Sequence, residues 1–453
     1  MITGKQSEAG SLPTPERIIR TFFITSGLFT LAASFIWGVN TLFLLNAGLD
    51  IFEVMVVNSI YSIGQVFFEI PTGVIADTVG RRVSFLFGIV TLTISTLLYL
   101  ASASFGWGMI GFAVGSVLLG LGYTFQTGAV EAWLVDALEA SGYKGRTDQV
   151  FARGGIVFGF AMLTGTILGG FLGQIDLALP YLIRATILVI AFLATLALMH
   201  DLGFKTRPLK ATHFASETRT IFRAGVNFGW HNPAVRPLLL ASAAQGSFFM
   251  YFFYAAQPYA LSLLGRPDLI WVSGMLAALF GLASIVGNLC VGPVTRSRWG
   301  NSAPKVLTIG AIILSCLAGL AGLVGLLSPS EGNLTTFLML ASILFLVGVW
   351  MGLISPIRQG YINAHIPSQQ RATVLSLDSF FSDAGSSIGQ PSFGWLSRAI
   401  SIPTAYIVGS FITVIAAPFY IRSGKMADVC INVGTAEEFC PDSAREPIDS
   451  IGI

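Results

Sequence analysis

Gly73-Val74-Ile75-Ala76-Asp77-Thr78-Val79-Gly80-Arg81-Arg82 stands between two long apolar runs, 51–76 and 83–101. A bilayer core of about 30 Å is crossed by about 20 apolar residues of helix, so these few residues reverse the chain at a membrane surface. Gly73 and Gly80 permit a tight turn between packed helices. The Asp77 carboxylate suits a helix N-terminus, and Arg81 and Arg82 suit acids at neighbouring helix ends.

Outward from this loop the whole chain has the same character. Of 453 residues, 54% are hydrophobic and 11% charged, with mean hydropathy +0.75; a water-soluble chain carries about a quarter charged residues. An ordinary soluble enzyme is excluded, and no nucleophile, base and acid recur at a recognisable spacing, so no enzymatic activity, cofactor or metal is expected. The fifty glycines suit close packing of membrane helices. A net charge of +2 gives no reason to expect a nucleic-acid partner. Cys290, Cys316, Cys430 and Cys440 form no pair at metal or redox spacing. The polar start, with Pro13 and Pro15, lacks the pattern of a cleavable signal peptide.

Apolar runs place spans at 21–45, 51–76, 83–101, 107–134, 148–172 and 180–199, then at 238–263, 269–292, 306–327, 334–361, 372–396 and 402–421. The expected fold is an all-α membrane protein with twelve transmembrane helices in two six-helix bundles. Its parts are a tail 1–20, a bundle 21–199, a central loop 200–237, a bundle 238–421 and a polar tail 422–453. Lys205, Arg207, Lys210, Arg219, Arg223 and Arg236 make the central loop basic, and Phe214, Ile221, Phe222 and Phe228 suit a helix lying along the headgroups.

Twelve crossings put twenty basic residues on one side, including Arg81, Arg82, Lys144, Arg146 and the central loop. Only Arg266 and Arg398 fall on the other, and Arg153, Arg184 and Arg358 lie within spans. By the positive-inside tendency both termini and the central loop are cytoplasmic, and the expected location is the plasma membrane, which is the inner membrane in a Gram-negative cell. The halves also echo each other. Arg146 precedes Arg153 by seven residues, as Arg371 precedes Asp378; Gly165 and Gly169 recur as Gly385 and Gly389. Six spans per half require the repeats to share orientation, which places a solute site between the bundles near the midplane.

The opening stretch resembles the signature loop of the major facilitator superfamily: Gly, three residues, Asp, two residues, Gly and two basic residues, in the loop after the second span. Gly292 to Gly300 is a degraded copy after span eight, with Arg296 at the acid's position. Glu69-Ile70-Pro71-Thr72-Gly73, Gly128 to Trp133 and Arg371 to Ser376 resemble a poorly characterised bacterial group of that superfamily. The resemblance implies alternating access of a small-molecule substrate across a lipid bilayer by a monomer. It further implies a cytoplasmic latch, closed in the outward-open state, in which Asp77 meets the start of span eleven and Arg81 pairs with Asp136. Spans four, five, ten and eleven close the inner gate in this fold, so Arg153 and Arg358 are expected to form a network with Glu131 and Asp378 that is made in the outward-open state and broken on opening.

Ionisable groups inside hydrocarbon are functional candidates by default. Glu69 lies on a face with Asn58, Ser62 and Gln65, and Asp383 on a face with Ser379, Ser382, Ser386 and Gln390; both are candidates for carrying protons. Arg184 is expected to snorkel outward or to bind an anion at the cavity mouth. Trp37, Asn40, Tyr123, Gln126, Gln245, Tyr251, Tyr254 and Gln257 join Asn58, Gln65 and Gln390 as candidates for lining the substrate cavity. Exporters of the superfamily usually carry Gly-Pro in span five, where this chain has Gly165-Thr166, and they tend to carry an Arg in span four and an acid in span one, which are absent here. Proton-coupled efflux of a small organic molecule is the leading expectation. Uptake by symport or facilitated diffusion, and a non-transporting solute receptor, remain alternatives.

Overall fold

A computed structural model describes residues 13–204, 223, 225–297, 300, 302–328, 332–367 and 370–433. Described elements are helices α1 (Pro15–Ser34), α2 (Asn40–Asn46), α3 (Ile51–Val79), α4 (Arg81–Phe105), α5 (Gly108–Gln126), α6 (Ala129–Ala140), α7 (Thr147–Ile175) and α8 (Leu179–Leu198). After the π-helical turn Val226–Trp230 come α9 (Arg236–Leu264), α10 (Ile270–Leu289), α11 (Val291–Thr295), α12 (Ala303–Leu326) and α13 (Leu334–Ala364). The last three are α14 (Arg371–Ala399), α15 (Ile402–Val414) and α16 (Ala416–Val433).

Among the described residues, ten helices are long and apolar enough to cross a membrane, and the chain is a multi-pass membrane protein. Two expected spans are not among the ten. The first breaks over residues 35–39, between α1 and α2, and α1 opens with Glu16, Arg17 and Arg20. The other is α14, rich in serine and carrying Asp378, Asp383 and Gln390. Of the expected central-loop helix, Phe214, Ile221 and Phe222 lie outside the described residues, as does the tail beyond 433. Phe228 falls in the π-helical turn, whose Trp230 stacks on Phe381 of α14 at 5.4 Å.

The glycines noticed in sequence occupy matching places. Gly165 and Gly169 of α7 let that helix approach the α1 backbone at Leu31 and Phe35, and Gly385 and Gly389 of α14 do the same against Ala243 and Ser247 of α9. In each case a Cβ would strike a backbone carbonyl, so the helices touch only because these positions are bare. α3 opens with a capping box, in which Asp50 accepts from the Glu53 amide and Glu53 accepts from the Asp50 amide.

Contacts between the first eight helices and the last eight are concentrated at one end. The bundle end carrying Arg81, Arg82, Lys144 and Arg371 is the basic end; the opposite one is the far end. α3 packs on α14, α7 on α10 and α2 on α9. These contacts run from the far-end pair Asp50–Arg398, at 3.0 Å, to Ser62–Ser386, at 3.3 Å. On the other flank Gln174 Nε2 donates to the Asp268 carbonyl, and Phe171 stacks on Trp271. The apolar core follows suit. One buried cluster is continuous from Val39, Phe43, Leu49 and Val54 through the second half to Tyr420, whereas Ile18, Phe22, Phe85, Trp133 and Leu134 form a separate cluster at the basic end of the first half. Among the described residues, hydrogen bonds and ion pairs join the halves at the far end and down to mid-depth, and none joins them at the basic end.

The tightest point of that junction is glycine on glycine. A Cβ at Gly38 would sit 2.7 Å from the Gly274 Cα, and one at Gly170 would sit 2.9 Å from the same atom. Gly274→Val therefore destabilises this closed arrangement by about 1–3 kcal/mol, the usual cost of overpacking. A lower melting temperature in detergent and a longer spin-label distance between the α2 and α10 far ends are expected; wild-type values for both would refute the account.

Candidate substrate cavity and signature loop

A break in a membrane helix leaves backbone amides and carbonyls that only protein or water can satisfy. At residues 35–39 that role falls to the second half. Gln257 of α9 donates from Nε2 to the Trp37 carbonyl at 2.8 Å and accepts at Oε1 from the Thr41 amide at 3.0 Å. Ser273 of α10 donates to the Gly38 carbonyl at 2.6 Å. Gln257 is thus a bolt across the far end, and it borders a separate apolar hollow with Phe252, Phe253 and Phe280.

The break turns Trp37 and Asn40 toward a cavity whose other walls are Asn58 and Tyr61 of α3, Leu119 and Tyr123 of α5, Arg184 of α8 and Tyr254 of α9. It has about 420 Å³ of space not filled by atoms, its open mouth included. Tyr181 donates to Asn40 Oδ1 at 2.9 Å, and Asn40 Nδ2 donates to Asn58 Oδ1 at 3.1 Å. Five residues expected to line a cavity are therefore gathered: Trp37, Asn40, Asn58, Tyr123 and Tyr254. Tyr61 and Arg184 belong with them and were not among those expected to line it. Arg184 does not snorkel; it is 1% exposed.

Other candidates are placed elsewhere. Tyr251 is fully buried inside the second half, where its hydroxyl meets Ser397 and its ring packs on Phe393 and Tyr406. Gln245 accepts from Tyr420 at 2.8 Å and borders a separate apolar hollow with Phe248 and Phe249. Gln390, fully buried, donates to Ser386 at 2.8 Å and Ser62 at 3.4 Å in the α3–α14 seam. Gln65 and Gln126 are half-buried and border none of these hollows. Glu69 and Asp383, also half-buried, interact electrostatically across the seam between α3 and α14.

In the signature stretch, Gly73 lies within α3 with open space where a Cβ would stand, and the turn itself is one residue, Gly80, at φ 132°. A Cβ there would be 2.5 Å from Asp201 Oδ2, so glycine is required twice over, by backbone and by space. Asp201 accepts from the Arg82 amide at 2.9 Å, and Arg82 Nη2 donates to the Leu196 carbonyl at 2.7 Å, tying the loop to the end of α8. Arg81 lies 2.6 Å from Asp77 and 3.8 Å from Asp136.

Residues 22–330 match the family model of the Major Facilitator Superfamily. The chain belongs to that superfamily. Its members' task sets the broad function: this is a membrane transporter of a small-molecule substrate, and the proteins it is similar to are transporters and not enzymes. It is 25% identical over 383 residues to the class B tetracycline resistance protein of Escherichia coli, covering 80% of this chain and 82% of that one. With the class E protein of the same organism it shares 32% identity over 143 residues, a third of the length of each. Among solved structures the nucleoside transporter NupG has TM-score 0.72 at 13% identity, covering 90% of this chain and 98% of its own. A POT-family peptide transporter bound to alafosfalin has TM-score 0.69 at 17% identity, covering 90% and 95%.

The latch and the inner-gate network are expected when the basic end is closed, and the arrangement seen here is not that state. Asp77 pairs with Arg81 and not with the start of α14. The four-residue inner network is not assembled: Arg358 and Asp378 form a two-pronged pair, with Ser242 hydrogen-bonded to both, and all three belong to the second half. Arg153 and Glu131 are exposed and form no ion pair among the described residues. The reason is the same for both. Latch and network would join the halves at the basic end, which is where they are apart. Asp201 escaped the sequence reading because it lies 119 residues from Arg82 and follows no motif.

Gln257→Leu strands the Trp37 carbonyl and the Thr41 amide, at about 1–3 kcal/mol for each buried group left unpaired. Spin labels introduced by Asn46→Cys and Pro267→Cys should then report a larger population with the far end open. Gly80→Ala forces a Cβ into a backbone region reserved for glycine, costing about 1–3 kcal/mol, and is expected to lower the melting temperature while Gly73→Ala, which meets open space, leaves it unchanged.

Proposed function

We propose that this chain is a proton-coupled exporter of a small organic molecule, working as a monomer in the plasma membrane and crossing it twelve times, with α1–α2 and α14 as the two crossings not identified by hydropathy. The two bundles are 21–199 and 238–421, and both termini and the 200–237 loop are cytoplasmic, so the basic end is the inner one and the arrangement described is closed outside and open inside. Export as the direction is supported by similarity to the tetracycline resistance proteins.

The observation that carries the coupling is the pair Glu69 and Asp383, one on each half, interacting across the α3–α14 seam. Two carboxylates within electrostatic reach of each other repel when both are charged, so a proton taken up by either draws the halves together and its loss drives them apart. Asp383 and Glu69 take up the proton; Arg81, Asp77 and Asp136 with Gly73, Gly80 and Arg82 form the inner latch; Arg358–Asp378, Arg153 and Glu131 form the inner gate, completed when the basic end closes. Uptake by symport is the second reading, supported by departures from the exporter pattern: spans four and one lack the usual Arg and acid, and Thr166 stands where exporters have proline, its hydroxyl bonded to the Met162 carbonyl of an unbroken α7.

Flux in sealed vesicles under an imposed pH gradient tests both. Solute should move against the proton gradient, outward in cell terms, and Asp383→Asn or Glu69→Gln should reduce gradient-driven flux to the level of empty vesicles while exchange of labelled for unlabelled solute continues. Gradient-driven flux that persists in both variants would end the proton assignment, and solute movement with the protons would favour symport.

A further inference from the structure

Arg184 is the one fully buried arginine among the largest fully buried side chains, and its charge has no counter-ion among the described residues. Nε donates to Thr96 at 3.1 Å, but Nη1 and Nη2 have no hydrogen-bond partner. A guanidinium is donor only and stays charged. Burying it in a membrane protein with two nitrogens unsatisfied costs several kcal/mol unless something negative completes it. Among the described residues nothing supplies that group. Arg184 lies in the wall of the cavity, close enough to Tyr61 and Tyr254 to interact with them electrostatically. Asn58, in the same wall, has its Oδ1 occupied by Asn40 and its Nδ2 unpartnered. Nitrogen donors therefore await an acceptor on one side of this cavity, and no carboxylate lines it.

We propose that the transported substrate carries a carboxylate, bound in two-pronged fashion by Nη1 and Nη2 of Arg184 with Asn58 Nδ2 as a third donor, and that its aromatic body lies among Trp37, Tyr61, Tyr123 and Tyr254. The pairing matches planar guanidinium to planar carboxylate. The rings and Leu119 supply flat apolar walls of a kind that accepts an aromatic group. This deepens the transporter reading and rests on it.

The test begins with the unmodified protein in detergent and carboxylate-free buffer, using benzoate and salicylate against benzamide and benzylamine. The two carboxylates should raise the melting temperature in proportion to the logarithm of concentration and quench tryptophan fluorescence through Trp37, whereas the isosteric amide and the amine do neither. Arg184→Gln should weaken carboxylate binding by about 10- to 100-fold, the worth of a charge-assisted pair, and Arg184→Lys should recover part of it. Trp37→Phe should abolish the quenching but not the thermal shift, which keeps the assignment testable if the arginine variants fail to fold. Equal binding of benzamide or benzylamine, or full affinity in Arg184→Gln, would overturn the proposal. Vesicle flux separates this from failure of the broader reading: carboxylates that bind but never cross leave the Arg184 site standing and remove transport, while flux of a cation that benzoate does not inhibit leaves transport standing and removes the site.

Discussion

A helix interrupted inside hydrocarbon must have its freed backbone groups satisfied by its neighbours, and between α1 and α2 those neighbours belong to the other half of the molecule. Gln257 holds one carbonyl and one amide of the break, and Ser273 holds a second carbonyl. Because each bond is buried, its loss costs more than its formation is worth in water. The break consequently ties the far end shut, and bare glycines at 38, 170 and 274 bring the three helices close enough to reach. Closure at that end fixes what is open at the other.

The same interruption builds the cavity. Had α1 continued unbroken to Asn46, Trp37 and Asn40 would have followed the helical repeat; the turn instead points both at Arg184, Asn58 and the tyrosines. One irregular stretch therefore ties the far end shut on its backbone side and forms a cavity wall on its side-chain side. Occupancy and closure are coupled by the covalent continuity of residues 37–41. A ligand that shifts Trp37 or Asn40 disturbs the backbone atoms that Gln257 grips.

Much of this was legible in the sequence, and for identifiable reasons. Long apolar runs, the Gly80 turn and the glycine pairs of α7 and α14 are local signals, each written within one or two helices. Hydropathy does not mark α1–α2 or α14 as crossings, because one is interrupted and the other carries serines and acids that are bonded to neighbouring helices. The site was less legible. Sequence position put Tyr251 and Gln257 on the same span as Tyr254, but helix rotation sends Tyr251 into the core of the second half and Gln257 to the break. The Arg358–Asp378 pair was foreseen as part of a larger network, and its reduction to one half depends on which end of the molecule is open. That is a property of a conformational state, which residue order does not encode.

The polarity of α14 has a bearing on how the protein is made. A segment with seven serines and two aspartates is held poorly by lipid alone during insertion, since each charged residue near a helix centre costs about 3 kcal/mol there. Its acids and serines find their partners on α9, α13 and α3: Ser242, Arg358 and Ser62. The eleventh helix of the chain to be expected in the bilayer is thus stable there only after earlier-synthesised helices have arrived to receive it, one of them from the opposite half.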